Sequence, residues 1–583
     1  MKAKFRQWSR FKLESMLRKK PLASSLEHEA RTVRHLHWYD LTAFGIATTI
    51  GSGIYVTCGL VARNVTGPAV ILSTALAGVL SILIALCYLE FSTALPIEGS
   101  AYAYFYILVG EFLAWFIGWN LTLEYAFSAA AIAGGWTNYL VTLMDSLGWK
   151  ISVSLYQVPL FGMLRINVIA AVLTVLVGAV VARGLHFGAR FTNGITCFNL
   201  VLIGFIIGVG SFYVKPQNWR PFLLEGTTPG AILHGAGEMF FSYLGFDTVT
   251  TLAGDAINPS RDIPLATIGT VVTATVLYMA VGLVLTGLQP AAELDSLNPL
   301  ALAFRAVNCN WAYYIVTMCA LTTMTVTIFT SLVGQPKIWA AMARDGLLPH
   351  NLSRPSWGVS STIVLTALLA LFFDVRSGLI DMISFGCLFC MSAVCAAVIN
   401  HRFSALHTLP DRQEQSVGKL GTASTVTLFM GSLVTSATWH NLRWPYFLAA
   451  FAVSVLAPFT CLAYLFVRHN GMLTSRLLSL DRKVFQCPGM PLLPSLAIFA
   501  NSMVMLKTPW RDIAMFTVWA GIGIMMYFFY GIGHAKLGKM ELVERFSGEA
   551  ETEKGKEQPS VIQDSEPPKI EQRGITEESP LIK

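Results

Sequence analysis

Glycines interrupt two long apolar segments at a depth where an unbroken helix would be expected. The first segment contains Gly51, Ser52 and Gly53 in succession, and the sixth contains Gly245 followed by Asp247. Glycine costs about 1 kcal/mol relative to alanine inside a helix, so these clusters either permit close helix packing or let the helix unwind. Unwound turns expose backbone groups that can bind a charged ligand. The two segments are therefore candidate binding elements.

The two breaks are suited to opposite charges. Amide groups at the start of a half-helix, together with its positive dipole end, favour an anion, so we expect Gly51, Ser52 and Gly53 to bind a carboxylate. The stretch 241–244 would unwind and free carbonyl oxygens that accept hydrogen bonds from an ammonium group. An α-amino acid carries both charges. Two broken segments that lie five spans apart are typical of a transporter built from inverted repeats.

Several carboxyl groups lie within apolar segments, where each costs at least ~2.5–3.5 kcal/mol and is a functional hypothesis by default. Glu124 follows Glu111 by thirteen residues, roughly 20 Å along a helix. We expect Glu124 to contact a substrate ammonium group or to stabilise the first segment, with a structural hydrogen bond as the alternative. Glu238 could face the cavity and attract a cationic side chain, but a structural carboxylate is favoured. Asp247 is equally well explained as a helix cap, and Glu90 and Glu111 are expected at the membrane interface.

Uncharged polar residues complete the candidate set. Asn199 in the fifth segment and Thr323, Thr327 and Ser331 in the eighth lie at a plausible cavity depth, although structural hydrogen bonding is their default role. Most of the ten cysteines lie in apolar segments, where a small buried hydrophobe is the expected role. No metal or cofactor is expected.

The composition indicates a membrane protein, because 54% of the 583 residues are hydrophobic and only 13% are charged. Lipid offers no partners to backbone groups, so apolar runs long enough to cross a bilayer should be helices. We predict an all-α, polytopic fold with fourteen spans, of which spans 1–5 and 6–10 form the two repeats. The predicted spans are 40–62, 69–93, 111–144, 164–184, 191–214, 229–252, 265–288, 311–343, 360–374, 378–400, 423–440, 445–467, 490–506 and 512–533.

The charge distribution predicts the topology and the domain limits. Residues 1–37 carry ten Lys and Arg residues against three Glu, which places this segment in the cytosol by the positive-inside rule. It could also contact anionic lipid, and no nucleic acid is expected. Residues 38–401 would form the transporter core, 402–534 spans 11–14, and 535–583 a disordered cytosolic tail. In that tail Glu577, Leu581 and Ile582 fit an acidic dileucine signal for sorting adaptors, so plasma membrane and endolysosomal membrane are equally favoured.

Long stretches from about residue 35 to 535 resemble the amino acid-polyamine-organocation superfamily, most closely its cationic amino acid transporter branch, solute carrier family 7. The order and spacing of these stretches make coincidence very improbable. They are Gly51-Ser-Gly-Ile-Tyr-Val, Cys87-Tyr-Leu-Glu-Phe, Gly99-Ser-Ala-Tyr, Gly110-Glu-Phe-Leu-Ala-Trp-Phe-Ile-Gly-Trp-Asn120, Gly245-Phe-Asp247 and Pro336-Lys-Ile-Trp-Ala-Ala-Met-Ala-Arg-Asp-Gly-Leu-Leu348.

The resemblance implies a LeuT-type fold of two inverted five-helix repeats, with the aromatic gate at Phe241. It also implies that Glu111 is associated with transport and that Glu124 stands where bacterial relatives carry a glutamate. Asn199 replaces the lysine of proton-coupled bacterial relatives, which puts proton coupling in doubt, and Glu238 replaces a small neutral residue. The implied carboxylate and amine contacts are Thr49, Gly51, Ser52 and Gly53, and then Phe241, Ser242 and Leu244.

These observations predict a facilitative carrier of amino acids that works by alternating access. The preference for arginine, lysine and ornithine rests mainly on the resemblance. A carrier of neutral amino acids or polyamines is the alternative within the class, and a lysosomal amino acid sensor without net transport is the alternative outside it. An enzyme is disfavoured because the chain has no catalytic motif, and a channel because the polar groups suggest one compact site.

Overall fold

Each of the fourteen predicted spans coincides with a helix or a broken helix. The computed structural model describes residues 15–21, 34–97, 99–156, 158–161, 164–183, 189–224, 230–372, 379–404, 412–438, 444–475, 484–505 and 508–538. The described residues up to Lys536 form one compact unit. The predicted tail boundary at 535 therefore falls within described residues, whereas Glu577, Leu581 and Ile582 lie outside them.

Twelve spans are single helices or helices with a short π-helical interruption, and spans 1 and 6 consist of shorter pieces. In chain order they are Trp38–Thr49, Gly53–Thr57, Cys58–Val61 and Ala62–Thr66; Val70–Ala94; Glu111–Thr122, Leu123–Phe127 and Ser128–Ser146; Val168–Ala182; Ala189–Ser211; Gly230–Phe240, Phe241–Tyr243 and Thr248–Thr251; Pro259–Leu288; Asn310–Arg344; Pro355–Phe372; Leu379–Ser404; Arg412–Thr438; Trp444–Phe451, Ala452–Leu456 and Ala457–Ser475; Leu492–Met505; and Trp510–Met526, Tyr527–Gly531 and Ile532–His534.

Length and composition agree with this assignment. Within the described ranges, nine helices are long and apolar enough to cross a membrane, and Val168–Ala182 and Leu492–Met505 are shorter apolar helices. Helices Ser100–Leu108 and Pro299–Ala306 lie in connections between spans. The all-α prediction holds for the spans, and a short antiparallel hairpin of Val158–Phe161 and Leu164–Ile166 precedes span 4.

The packing of the spans follows the expected inverted repeat. Span 2 packs against span 7, span 3 against span 8, and span 4 against span 9, so each of these helices contacts its counterpart in the other repeat. Span 1 packs against span 7 in the same way as span 6 packs against span 2. These pairings are those of the LeuT-type fold, in which the two broken helices lie at the interface between the repeats.

The base of span 1 is joined to the chain that follows span 6. Leu36 forms a parallel bridge with Ala256, and the amides of His35 and Leu36 both donate to the carbonyl of Asp255 at 3.0 Å. Leu36, Leu41, Val249, Leu252 and Ile263 belong to one buried apolar cluster beneath this bridge. We call the side of the molecule that carries this bridge the N-terminal face, and the other side the opposite face. Spans 1 and 6 are therefore held together at the N-terminal face.

Candidate functional site

The breaks of spans 1 and 6 lie directly against each other. A side chain at Gly53 would collide with the Cβ of Ser242, so only glycine allows this approach. The hydroxyl of Tyr278, in span 7, lies 2.9 Å from the carbonyl oxygen of Thr49 and 2.8 Å from that of Ser242. One donor thus serves a carbonyl from each break. Sequence reasoning missed Tyr278, because nothing in its neighbourhood distinguishes it from other buried aromatic residues.

The break in span 1 is centred on Ile50, whose φ of −79° and ψ of 98° end the first half-helix. Thr327 Oγ1 donates to the carbonyls of Ala47 at 3.2 Å and Ile50 at 3.0 Å. A Cβ at Gly51 would lie 3.0 Å from the Thr327 side chain, so span 8 approaches closely here. Thr327 therefore lies at the break as the sequence suggested, but its hydroxyl secures the span 1 backbone.

The break in span 6 differs in detail from the expectation. Residues Phe241–Tyr243 form one 3-10 turn, and the Leu244 amide donates to the Phe241 carbonyl at 3.3 Å. The chain leaves helical geometry at Leu244, with ψ of 138°, and at Gly245, with φ of +105°. Two of the four carbonyls expected to be free, those of Phe241 and Ser242, have partners in this conformation. The side chain of Phe241 is buried at the start of the turn.

Two buried hydroxyl groups at the breaks have no hydrogen-bond partner among the described residues, namely Thr49 Oγ1 and Ser242 Oγ. A buried hydroxyl without a partner is costly, and such groups in a native protein call for an explanation. Both belong to the predicted contact set, one on each side of the junction. A polar ligand at the junction would supply the missing hydrogen bonds.

Glu124 lies in the π-helical segment Leu123–Phe127 of span 3, and π-helical turns are frequent at functional sites. Its Oε1 accepts a hydrogen bond from the amide of Gly245 at 3.3 Å. We expected Glu124 to contact the substrate or to stabilise span 1, with a structural hydrogen bond as the alternative. The structure shows such a hydrogen bond, to the break in span 6, and the substrate contact stays a prediction. A carboxylate at this point holds the backbone of the break in place.

Asp247 does not act as the expected helix cap. Its side chain makes no capping hydrogen bond to Thr248–Thr251, and its carboxyl group lies beside that of Glu124. Its acidic neighbour is Glu124, and the two fully buried carboxyl groups interact with each other. Two adjacent carboxylates repel each other in a low dielectric, and a shared proton or a nearby ammonium group would relieve that repulsion.

Three other predicted residues have different surroundings. The Glu238 carboxylate lies 3.6 Å from His234 Nε2 one helical turn away, and its side chain is 19% exposed. Asn199 is buried, and its Oδ1 has no partner among the described residues. Glu111 lies at the N-terminal face, at the start of span 3. Across the described residues, no group of three or more His, Cys, Asp or Glu could hold a metal ion.

Glu90 and Glu111 lie near helix ends, where the sequence predicted interfacial residues, but neither side chain is exposed. Glu111 is fully buried and accepts hydrogen bonds from Tyr527 at 3.0 Å and from Arg18 at 3.4 Å. Glu90 is also buried, in a bidentate pair with Arg402 whose bonds measure 3.2 and 2.7 Å. These partners lie far away in the sequence and cover the helix ends. The position of a glutamate near a predicted helix end therefore did not indicate that its side chain is buried.

Comparisons with known proteins agree with this architecture. The amino acid permease family model matches residues 36–413, and a second model, the C-terminus of AA_permease, matches residues 485–535. The methylthioribose transporter of Bacillus subtilis (strain 168) is 37% identical over 66% of this chain and 86% of its own length. The vacuolar cationic amino acid transporter 4 of Arabidopsis thaliana is 33% identical over 85% of this chain and 92% of its own length.

A human relative extends the similarity along the chain. Cationic amino acid transporter 4 of Homo sapiens is 31% identical over 91% of this chain and 92% of its own length. The first family match covers the ten spans of the two repeats, and the second covers spans 13 and 14. The chain belongs to the amino acid permease family, in the cationic amino acid transporter branch of the amino acid-polyamine-organocation superfamily, and is a membrane transporter of amino acids, not an enzyme.

Proposed function

We propose that the protein carries cationic L-amino acids, such as arginine, lysine and ornithine, across its membrane as a facilitative carrier by alternating access. The observation that supports a zwitterionic substrate most directly is the junction of the two breaks. There Tyr278 bridges a carbonyl from each break, while Thr49 Oγ1 and Ser242 Oγ remain without partners among the described residues. The ligand would occupy this junction.

The two sides of the junction have different roles in this proposal. The amides of Gly51, Ser52 and Gly53, with the Thr49 hydroxyl, bind the carboxylate of the substrate, because half-helix N-termini favour anions. The carbonyls of Phe241, Ser242 and Leu244 accept from its ammonium group, and Phe241 closes over the ligand as an aromatic gate. Thr327 and Tyr278 hold the two backbones in register.

The preference for a cationic side chain rests on separate support. The buried carboxyl pair of Glu124 and Asp247 lies beside the break in span 6, and a cation close to it would be stabilised. Glu238 adds a partly exposed carboxylate on the same span. Two relatives of the chain are named as cationic amino acid transporters. A relative named as a branched-chain amino acid permease keeps a neutral amino acid carrier as the second candidate, with a polyamine carrier as the further alternative.

Orientation and location follow from the same proposal. The basic segment 1–37 supports a cytosolic N-terminus by the positive-inside rule, and the N-terminal face would then be the cytosolic face. A vacuolar relative and the dileucine pattern at Glu577, Leu581 and Ile582 support an endolysosomal membrane, and the plasma membrane is the alternative. Sorting adaptors would be the cytosolic partners of that pattern.

Uptake of radiolabelled arginine into proteoliposomes tests the substrate class, with alanine, leucine and putrescine as competitors. We expect saturable arginine uptake that lysine and ornithine inhibit and that leucine does not. Absence of arginine uptake, with uptake of labelled leucine or putrescine in its place, would contradict the cationic assignment. Saturable arginine binding without uptake or counterflow would instead favour an amino acid sensor.

A further inference from the structure

An ion pair connects two spans that have to move apart when the N-terminal face opens. Lys337 Nζ, in the last part of span 8, lies 3.8 Å from Asp255 Oδ2, in the turn after span 6, and the two side chains are 30% and 21% exposed. Span 8 belongs to the helix pair of spans 3 and 8, and Asp255 is joined to span 1 through the amides of His35 and Leu36. The ion pair therefore joins spans 1 and 6, which carry the breaks, to spans 3 and 8.

A second set of contacts closes the opposite face between the corresponding elements. The Tyr139 hydroxyl, in span 3, donates to the carbonyl of Tyr55 in the outer half of span 1 at 2.8 Å. Asn298, before the helix Pro299–Ala306, donates to the Asn138 carbonyl at 3.1 Å and also contacts Thr142. Tyr139 and Asn298 are both buried. The opposite face is thus closed by buried hydrogen bonds between uncharged groups.

The two sets of contacts differ in chemistry in a way that fits their positions. Partly exposed ion pairs contribute little stability, because water screens them, so Lys337 and Asp255 can separate and re-form readily. Buried hydrogen bonds lose more when they break without a replacement. In each set, one residue lies in span 3 or span 8, namely Lys337 or Tyr139. The residue that it contacts lies in span 1 or in the chain that follows span 6. Asn298, which follows span 7, adds a further contact to span 3. The same relative motion would break one set and leave the other intact.

We propose that Lys337 and Asp255 form the gate of the N-terminal face, with Tyr139 and Asn298 as its counterpart at the opposite face. This inference rests on the alternating access in the proposed function. Opening of the N-terminal face separates Lys337 from Asp255 while the Tyr139 and Asn298 contacts persist. Opening of the opposite face breaks those contacts while the ion pair persists. Each gate therefore stabilises the state in which the other side is open.

Accessibility at two reporter positions tests the proposal without any substrate. Thr250 is buried near the N-terminal face, where its hydroxyl lies 3.3 Å from that of Ser100. Asn138 is buried near the opposite face, and its side chain can be replaced without removing the carbonyl that Asn298 contacts. Thr250→Cys and Asn138→Cys are labelled with a small charged thiol reagent in purified full-length protein. Mass spectrometry of the individual peptides separates these sites from the native cysteines.

The two gate variants should shift labelling in opposite directions. We expect Asp255→Asn to raise the labelling rate at position 250 roughly two- to fivefold and to lower the rate at position 138. The change is small because a partly exposed ion pair contributes little to the stability of the closed face. Tyr139→Phe, which removes one buried hydrogen bond, should raise the rate at 138 roughly two- to tenfold and lower the rate at 250. Loss of a merely structural contact would raise both rates together.

Charge exchange supplies the matched control. Asp255→Lys alone should behave like Asp255→Asn, and Asp255→Lys combined with Lys337→Asp should return both labelling rates towards those of the parent protein. Lys337→Gln provides a second route if the Asp255 variants do not fold. Unchanged rates in the folded Asp255 or Lys337 variants, or rates that rise together at both positions, would overturn the gate assignment. Because no substrate is used, an incorrect substrate class would not affect this result.

Discussion

At the scale of single residues, Glu124 makes a structural hydrogen bond and also lies beside the candidate binding site. Glu124 accepts from the amide of Gly245 and interacts with the carboxyl group of Asp247. The amide contact fixes the backbone of the break in span 6, and the carboxyl group of Asp247 lies beside it. The charge and the shape of this side chain can be separated experimentally.

We expect Glu124→Gln to fold and to reach the membrane, because glutamine keeps an oxygen that can accept from Gly245. Uptake should fall roughly 10- to 100-fold, since a hydrogen bond to a charged group contributes about 1.5–3 kcal/mol. The measurement is initial arginine uptake at matched surface expression. Asp247→Asn is the companion variant for the neighbouring carboxyl group. Unchanged uptake kinetics in Glu124→Gln would show that the charge has no part in transport.

At the scale of elements, glycine permits the contact between two broken helices. A Cβ atom at Gly53 would collide with the Cβ of Ser242. A Cβ atom at Gly245 would lie 2.7 Å from the side chain of Thr48. The motif Gly51-Ser52-Gly53 predicted a break in span 1, and the glycines of span 6 predicted the second break. Their mutual contact could not be predicted, because the two breaks lie far apart in the sequence and packing alone brings them together.

Gly53→Ala should therefore disrupt the junction by adding one methyl group. Overpacking of this kind costs typically ~1–3 kcal/mol, and we expect a lower thermal unfolding temperature with uptake reduced about tenfold. Ser242→Gly removes the Cβ that the new methyl group meets, so the double variant should regain thermal stability relative to Gly53→Ala. Ala236→Gly in the same span serves as a control for added backbone freedom. Equal stability of the single and double variants would contradict the contact.

At the scale of the whole molecule, charged residues at the N-terminal face connect distant parts of the chain. Lys20 Nζ lies 2.7 Å from Asp345 Oδ1, and Arg18 reaches Glu111 from a segment that precedes span 1. The Cys487 amide donates to Glu90 at 2.8 Å, which joins the chain before span 13 to span 2. Segments outside the two repeats thus complete the core.

The cellular location also belongs to this scale, because the proposed dileucine address lies in the C-terminal tail and outside the core. We expect the intact protein in endolysosomal membranes and the Leu581→Ala/Ile582→Ala variant at the plasma membrane, since the substitution removes the apolar pair that adaptors bind. Microscopy of both proteins against markers of each membrane checks this. Thr576→Ala, just before the pattern, is a matched tail control. The same distribution for all three proteins would exclude the dileucine pattern as the address.

The sequence by itself determined the membrane class, the positions of the spans and the two breaks, because these depend on local composition and on the number of apolar residues that cross a bilayer. It also pointed to Glu124 as a buried charge. Only the tertiary structure decided that Glu124 holds span 6, that Tyr278 bridges both breaks, and that Glu90 and Glu111 are buried. These contacts join residues far apart in the chain, and the local periodicity of a sequence carries no information about them.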